Sequence, residues 1–357
     1  MPRPTVARID LDALRSNYRT ARAKAGSARA MAVVKADGYG HGIQAVAGAL
    51  ADDVETYAVA CIEEAEAIRA GALRHRVVLL QGVHQAIDMA RCHAAGFEPV
   101  LHCGQQLEWL RTGPAPAFWL KVNTGMNRLG FRPGELSEVM ASLEAGGLKD
   151  RLQGFVTHFS CADDLSIDVT EQQTRTFEAA VSPWPSLMRS VGNSAAHYRP
   201  GQPLYDWSRP GIMLYGASPL IGSTGPELGL KPVMSLHAPL ITTRTVHPGE
   251  VIGYGGTWTA GRGIRMGMVA IGYGDGYPRH AGTGTPAAVN GQRISLLGRV
   301  SMDMLAVDLS NVPEAREGDM VELWGTTVSV DEVAACAGTI GYELLTGVTA
   351  RVPRVYR

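Results

Sequence analysis

From about residue 32 to 215 the chain repeats one pattern: a short, wholly apolar run, in several cases followed by a stretch whose apolar positions return every three or four residues. Apolar runs suit strands buried on both faces, and the periodic stretches suit amphipathic helices that cover them, which is the order of a parallel sheet. Eight such runs can be counted: AMAVV, TYAVA, RVVLL, EPVLH, AFWLKV, LQGFVTHF, SLMRSV and GIMLY. The clearest helix between them is EEAEAIRAG, with Gly71 as its stop. Eight is the number of strands that closes a (β/α)8 barrel. A doubly wound open sheet needs fewer strands and usually carries a phosphate motif after the first. G-Y-G-H-G at 38–42 does not supply one, because Ile43 stands where the last glycine of G-x-G-x-x-G belongs.

After about residue 230 the texture changes. MSLHAPLITTRTV, RMGMVAIGY, RISLLGRVSMDMLAVDL and DMVELWG all suit strands, and VNGQ carries the Asn-Gly pair of a tight hairpin. The expected fold is therefore α/β: an N-terminal (β/α)8 TIM-type barrel over residues 1–230, then a mostly-β C-terminal domain over 231–357. The N-terminal stretch TVARIDL, about residues 4–11, is a candidate strand of that second domain.

Composition narrows the function. Charged residues make up 19% and glycine supplies 42 positions, a globular chain rich in tight turns. With a net charge of −1 it has no basic field for a nucleic acid backbone. Neither a signal peptide nor a membrane span is visible, so a cytoplasmic protein is expected. Five cysteines without metal-ligand spacing point to reduced thiols and no metal.

In a barrel, the C-terminal ends of the strands face the active site. Lys35 sits at such an end, as do Lys121, His158, Asn193, Ser194 and Arg209. A strand-end lysine usually just reaches water, and a lone histidine is more often support than catalyst. A desolvated lysine, however, loses its proton readily and becomes a nucleophile toward a carbonyl cofactor. Tyr39, among three glycines, offers a hydroxyl and close backbone to a phosphate. The cofactor chemistry suggested is a phosphorylated aldehyde. Lys121, on an apolar strand, needs a partner or a lost charge.

Together these residues resemble the alanine racemase family, enzymes that use pyridoxal 5'-phosphate (PLP) to interconvert L- and D-alanine. VVKADGYGHG matches the family's lysine motif, and KVNTGMNRLGF, FVTHFS, NSAA, RPGIMLYG, VIGYGGTW, IGYGDGY, GRVSMDM and RVPR come after it in family order over nearly the whole chain. The resemblance implies an isomerase with Lys35 as covalent anchor of PLP. It implies that Tyr39, Ser194 and the backbone at Gly211 and Ile212 take the phosphate, with Asn193 also in the cofactor site. Arg128 would reach the cofactor's phenolic oxygen and the substrate carboxylate, His158 would pack against the ring, and Arg209 would face the pyridine nitrogen. Tyr254 would come from the second subunit of a homodimer with composite sites, while Tyr273, Met302 and Asp303 would narrow the entrance and shape the substrate end.

An arginine keeps its proton, so the ring nitrogen it faces stays unprotonated and a resulting carbanion is less delocalised. That favours reprotonation at Cα over transamination. By the family pattern Lys35 removes the proton from D-alanine and Tyr254 from L-alanine. Asn123 stands where many members have aspartate, Ser190 where some have histidine, and Ala350 where some place a tyrosine against the phosphate. In many members the lysine at the place of Lys121 is carbamylated. A broader racemase acting on serine, a PLP decarboxylase and a non-catalytic PLP carrier are the alternatives. Supply of D-alanine for peptidoglycan and alanine catabolism use the same residues.

Overall fold

The computed structural model describes residues 4–357. The first strand, β1 (Val6–Ile9), lies outside the barrel. The barrel is built from β2 (Arg29–Ala30), β3 (Ala32–Val33), β4 (Thr56–Val59), β5 (Arg76–Leu79), β6 (Phe97–Leu101), β7 (Phe118–Lys121), β8 (Leu152–Val156), β9 (Met188–Ser190) and β10 (Trp207–Ser208). All of these pair in parallel, in the order β2-β10-β9-β8-β7-β6-β5-β4-β3. β2 and β3 are two halves of one run, broken at Met31. β2 pairs with β10 and β3 with β4, so the run joins the two ends of the sheet. The Met31 and Val33 amides donate to the Ser208 and Pro210 carbonyls at 2.9 and 3.0 Å, and the nine named segments thus act as the eight strands of a closed barrel.

Seven of the eight apolar runs are strands at or near their predicted places, and EEAEAIRAG forms the helix Ile62–Ala70 with Gly71 as its cap. GIMLY is not a strand. Ile212–Tyr215 is a 3-10 turn, and the last barrel strand is the two-residue β10 just before it. Burial alone made GIMLY look like a strand, and a fully buried turn has the same apolar signature. Its backbone is satisfied from outside the sheet: Asn17 donates from Nδ2 to the Leu214 carbonyl at 3.1 Å. Asn17 lies on the helix Leu11–Ala25, which Asp10 caps by accepting from the Ala13 amide at 2.8 Å.

The second domain starts with β11 (Met234–Val246), followed by the ribbon β12 (Val251–Ile252) and β13 (Trp258–Thr259). β14 (Ile264–Val269), β15 (Pro286–Val289), β16 (Gln292–Leu297), β17 (Leu305–Asp308) and β18 (Met320–Trp324) complete it, with β19 (Arg354–Tyr356) at the C-terminus. The order β14-β17-β16-β15-β18-β11 closes on itself through β11 and β14. β1 adds antiparallel to β11, and β19 parallel to β1. The Asn-Gly pair makes the β15–β16 hairpin, with φ of 51° at Asn290 and 75° at Gly291, as a primed turn requires. The domain is a curled β structure whose edge is occupied by the chain's two ends.

Candidate active site

β3 ends at Val33, and Lys35 comes two residues later, at the C-terminal mouth of the barrel. The backbone then takes an unusual course: Ala36, Asp37, Gly38 and Tyr39 all hold φ between 52° and 60°, one turn of left-handed helix. For residues with a side chain this conformation costs roughly 1–2 kcal/mol each, so the surroundings must over-determine it. They do so through named bonds. Glu64 accepts from the Ala36 amide at 2.6 Å and the Ala60 amide at 2.7 Å, tying the two strand ends together. Asp37 accepts from the Ile43 amide at 2.8 Å. His41 donates from Nδ1 to the Tyr39 and Gly38 carbonyls at 2.8 and 3.1 Å, and burial pushes this imidazole down to about 4, so it stays neutral.

Four cations converge beside this turn. Burial lowers the Lys35 amine, and the Arg128 charge lowers it further, against a smaller pull from Glu64. Burial also drives Lys121 down to about 8, with Arg209, Arg128 and Lys35 adding to the effect. Arg209 is buried and reaches about 10, so it keeps its proton at neutral pH. Its guanidinium donates to the Ser190 hydroxyl at 2.6 Å, the Thr157 carbonyl at 2.6 Å and Nδ1 of His158 at 3.3 Å. His158 therefore accepts at Nδ1, and burial followed by the Arg209 charge holds it neutral. Lys35, Lys121, Arg128, His158 and Arg209 line a cavity of about 610 Å³ that has no aspartate or glutamate in its wall. Positive charge without a lining carboxylate calls for an anionic occupant.

A second group forms around Tyr39, Ser194 and Gly211. The Ser194 hydroxyl accepts from the Gly211 amide at 2.8 Å, and the Tyr39 ring stacks on Tyr215 at 4.6 Å between centroids. Burial holds the Tyr39 phenol well above its ordinary value, so it remains a donor. At Gly211 a methyl group would stand 2.5 Å from the Tyr39 hydroxyl, so only glycine leaves this cradle open. Asn193 caps the next turn, its Oδ1 accepting from the Ala196 amide at 3.2 Å. Hydroxyls from Tyr39 and Ser194 beside the Gly211 and Ile212 backbone form a neutral donor set fit for a phosphate ester, next to a lysine fit for an aldehyde.

Tyr254, Tyr273, Met302 and Asp303 are not brought to this cavity within the chain. Tyr254 sits between β12 and β13 with 71% of its surface exposed, and Tyr273 and Met302 are also exposed. Asp303 accepts from Arg351 at 2.7 Å. Two departures from the family pattern find local roles: Asn123 Oδ1 accepts from the Gly125 and Asn127 amides, shaping the loop that carries Arg128, and Ser190 supports Arg209. Ala350 is exposed. Sequence reasoning missed Glu64, Tyr215 and the cavity wall of His102, Gln106 and Trp109. Glu64 reads in the sequence as one more solvated helix carboxylate, and nothing in its spacing marks it.

The fold and site together define a two-domain barrel enzyme with a desolvated lysine among arginines at the barrel mouth. Residues 9–219 match the family pattern described as alanine racemase, N-terminal domain, and 233–356 match alanine racemase, C-terminal domain. The chain is 75% identical over 356 residues to alanine racemase of Marinobacter nauticus, covering 100% of both chains. It is similar to the crystal structure of biosynthetic alanine racemase from Pseudomonas aeruginosa, with a TM-score of 0.95, 48% identity and 99% coverage of each chain. It also resembles alanine racemase from Bartonella henselae with covalently bound pyridoxal phosphate, with a TM-score of 0.88, 28% identity and full coverage of both. The chain belongs to the alanine racemase family, PLP-dependent isomerases.

Proposed function

We propose that this chain interconverts L- and D-alanine as a homodimer with two composite sites. The observation that carries the reading is the pairing of the lowered Lys35 amine with the Tyr39–Gly211 cradle across one strand end. Lys35 would anchor PLP, Tyr39, Ser194 and the backbone at Gly211 and Ile212 would receive its phosphate, and Arg209 would face its ring nitrogen. Bound PLP supplies an electron sink that makes the Cα proton of the amino acid acidic.

The chain's own groups then handle the proton. Lys35 has the lowered basicity of an amine that can both take and return one, and it serves one face of Cα. The other face needs a second group, and no tyrosine is among the residues that line the Lys35 cavity. Tyr254, exposed on the β12–β13 turn, would serve the partner's cavity, and its exposure away from its own cavity supports a composite site. Arg128 would hold the substrate carboxylate and, with Lys121 beside it, keep that end positive. Arg209, supported by Ser190, keeps its proton at neutral pH and would leave the ring nitrogen unprotonated, which would confine the reaction to Cα.

The test is incubation of the PLP-supplemented protein with L-alanine in heavy water, tracking Cα deuterium and D-alanine together. Both should appear. Retention of PLP at Lys35 with neither product would leave a carrier, and faster exchange of serine than alanine would point to a broader racemase.

A further inference from the structure

The C-terminal R-V-P-R segment holds two arginines three residues apart that grip different loops. Arg354 donates from Nε to the Gly40 carbonyl at 3.1 Å, and Gly40 closes the left-handed turn that begins at Lys35. The rest of its fork is held by carbonyls of its own segment: Thr349 at 2.7 Å, Val352 at 2.9 Å and Val348 at 2.6 Å. Arg354 thus ties the second domain to the Lys35 turn of the same chain.

Arg351 faces elsewhere. Its Nη2 donates to Asp303 at 2.7 Å and its Nε lies 3.4 Å from Asp275, a carboxylate with no exposed surface. Asp275 belongs to the turn that carries Tyr273, and Asp303 is next to Met302. The two loops are already joined by backbone bonds, Tyr273 amide to Ser301 carbonyl at 3.1 Å and Gly274 amide to Met302 carbonyl at 2.8 Å. A side chain at Gly274 would begin 2.4 Å from the Arg351 guanidinium, so the turn is stripped to admit it. Arg351 therefore clamps Tyr273, Met302 and Asp303 into one face, beside the Tyr254 turn, which packs on Arg299.

That face is exposed in its own chain and does not line its own Lys35 cavity. Resting on the homodimer reading above, we infer that the two arginines serve different active sites: Arg354 positions the Lys35 turn of its own chain, and Arg351 positions the loops delivered to the partner's site. Both are positioning residues.

Hybrid dimers separate the roles. Two tags isolate dimers in which Lys35→Ala silences one site, and the remaining live site is assayed with PLP and alanine. Arg351→Gln on the silenced chain should raise the alanine KM of the live site about tenfold, the loss of one charged hydrogen bond. The same change on the live chain should leave that KM as in wild type. Arg354→Gln should behave oppositely, weakening PLP retention about tenfold only when it is on the live chain. Arg351→Lys, which keeps the charge, should restore part of the KM on the silenced chain. Equal effects from either chain, as from a general loss of stability, would overturn the inference. Tyr254→Phe on the silenced chain is the control: if it leaves the live site unharmed, the composite-site reading itself fails, whatever the arginines do.

Discussion

The Arg209 guanidinium and the Ser190 hydroxyl meet at 2.6 Å at the C-terminal ends of β10 and β9, with Arg209 also donating to His158. A neutral hydroxyl leaves the positive charge undiminished where a carboxylate would offset it. The arginine therefore keeps its full positive charge in the cavity wall.

Arg209→Glu reverses that charge and supplies an acid to the ring nitrogen. Racemisation should fall by about 10²–10³, the scale of removing one preorganised donor. The share of turnover that ends in pyruvate should rise. The ratio of pyruvate to D-alanine measures it, and an unchanged ratio would refute the role of Arg209.

For Tyr254, the expectation concerns direction. Tyr254→Phe should slow Cα deuterium exchange starting from L-alanine by about 10²-fold or more, the size of a lost general base. PLP attachment at Lys35 should survive, read from its absorbance. Equal loss of attachment and exchange would remove Tyr254 from proton transfer.

The Gly211–Tyr39 approach gives a binding prediction. Gly211→Ala places a methyl 2.5 Å from the hydroxyl, and the Tyr39 ring cannot step back because it stacks on Tyr215. The cradle should distort, and the PLP dissociation constant should rise about tenfold or more, worth roughly 1.4 kcal/mol. Cofactor retained after dialysis checks this, with the thermal midpoint of the cofactor-free protein as a control for folding.

Lys121 makes a pH prediction with a defined sign. Its amine is lowered to about 8 in the folded chain, by burial first and then by Arg209, against about 10.4 when unfolded. Between those values the unfolded chain binds the extra proton, so stability relative to Lys121→Met should rise with pH from 8 toward 10. Below 8 the two proteins should run in parallel. Urea unfolding of cofactor-free protein in carbon-dioxide-free buffer gives the comparison. The neutral amine is also the form that takes up carbon dioxide, so in bicarbonate buffer the intact mass should gain one such unit as pH rises through 8.

Hydrophobic patterning determined much of this molecule. Seven strand positions, the helix ended by Gly71, the Asn-Gly hairpin and the change to β structure near residue 230 come from burial and turn chemistry, which are local properties. The residue types gathered at strand ends, Lys35, Lys121, His158 and Arg209, were legible for the same reason: a strand's end places its next side chain at the barrel mouth.

What the tertiary structure decided is everything set by contacts far apart in sequence. GIMLY has a strand's composition but turns because Asn17, nearly two hundred residues earlier, takes the Leu214 carbonyl. The left-handed course after Lys35 has three residues with side chains among its five positive-φ residues, Ala36 to Gly40, and it is held by Glu64 and Arg354, which no local pattern links to it. The Lys35 and Lys121 amines are lowered first by burial and then by guanidiniums from distant strands and loops, so their basicity exists only once the barrel closes.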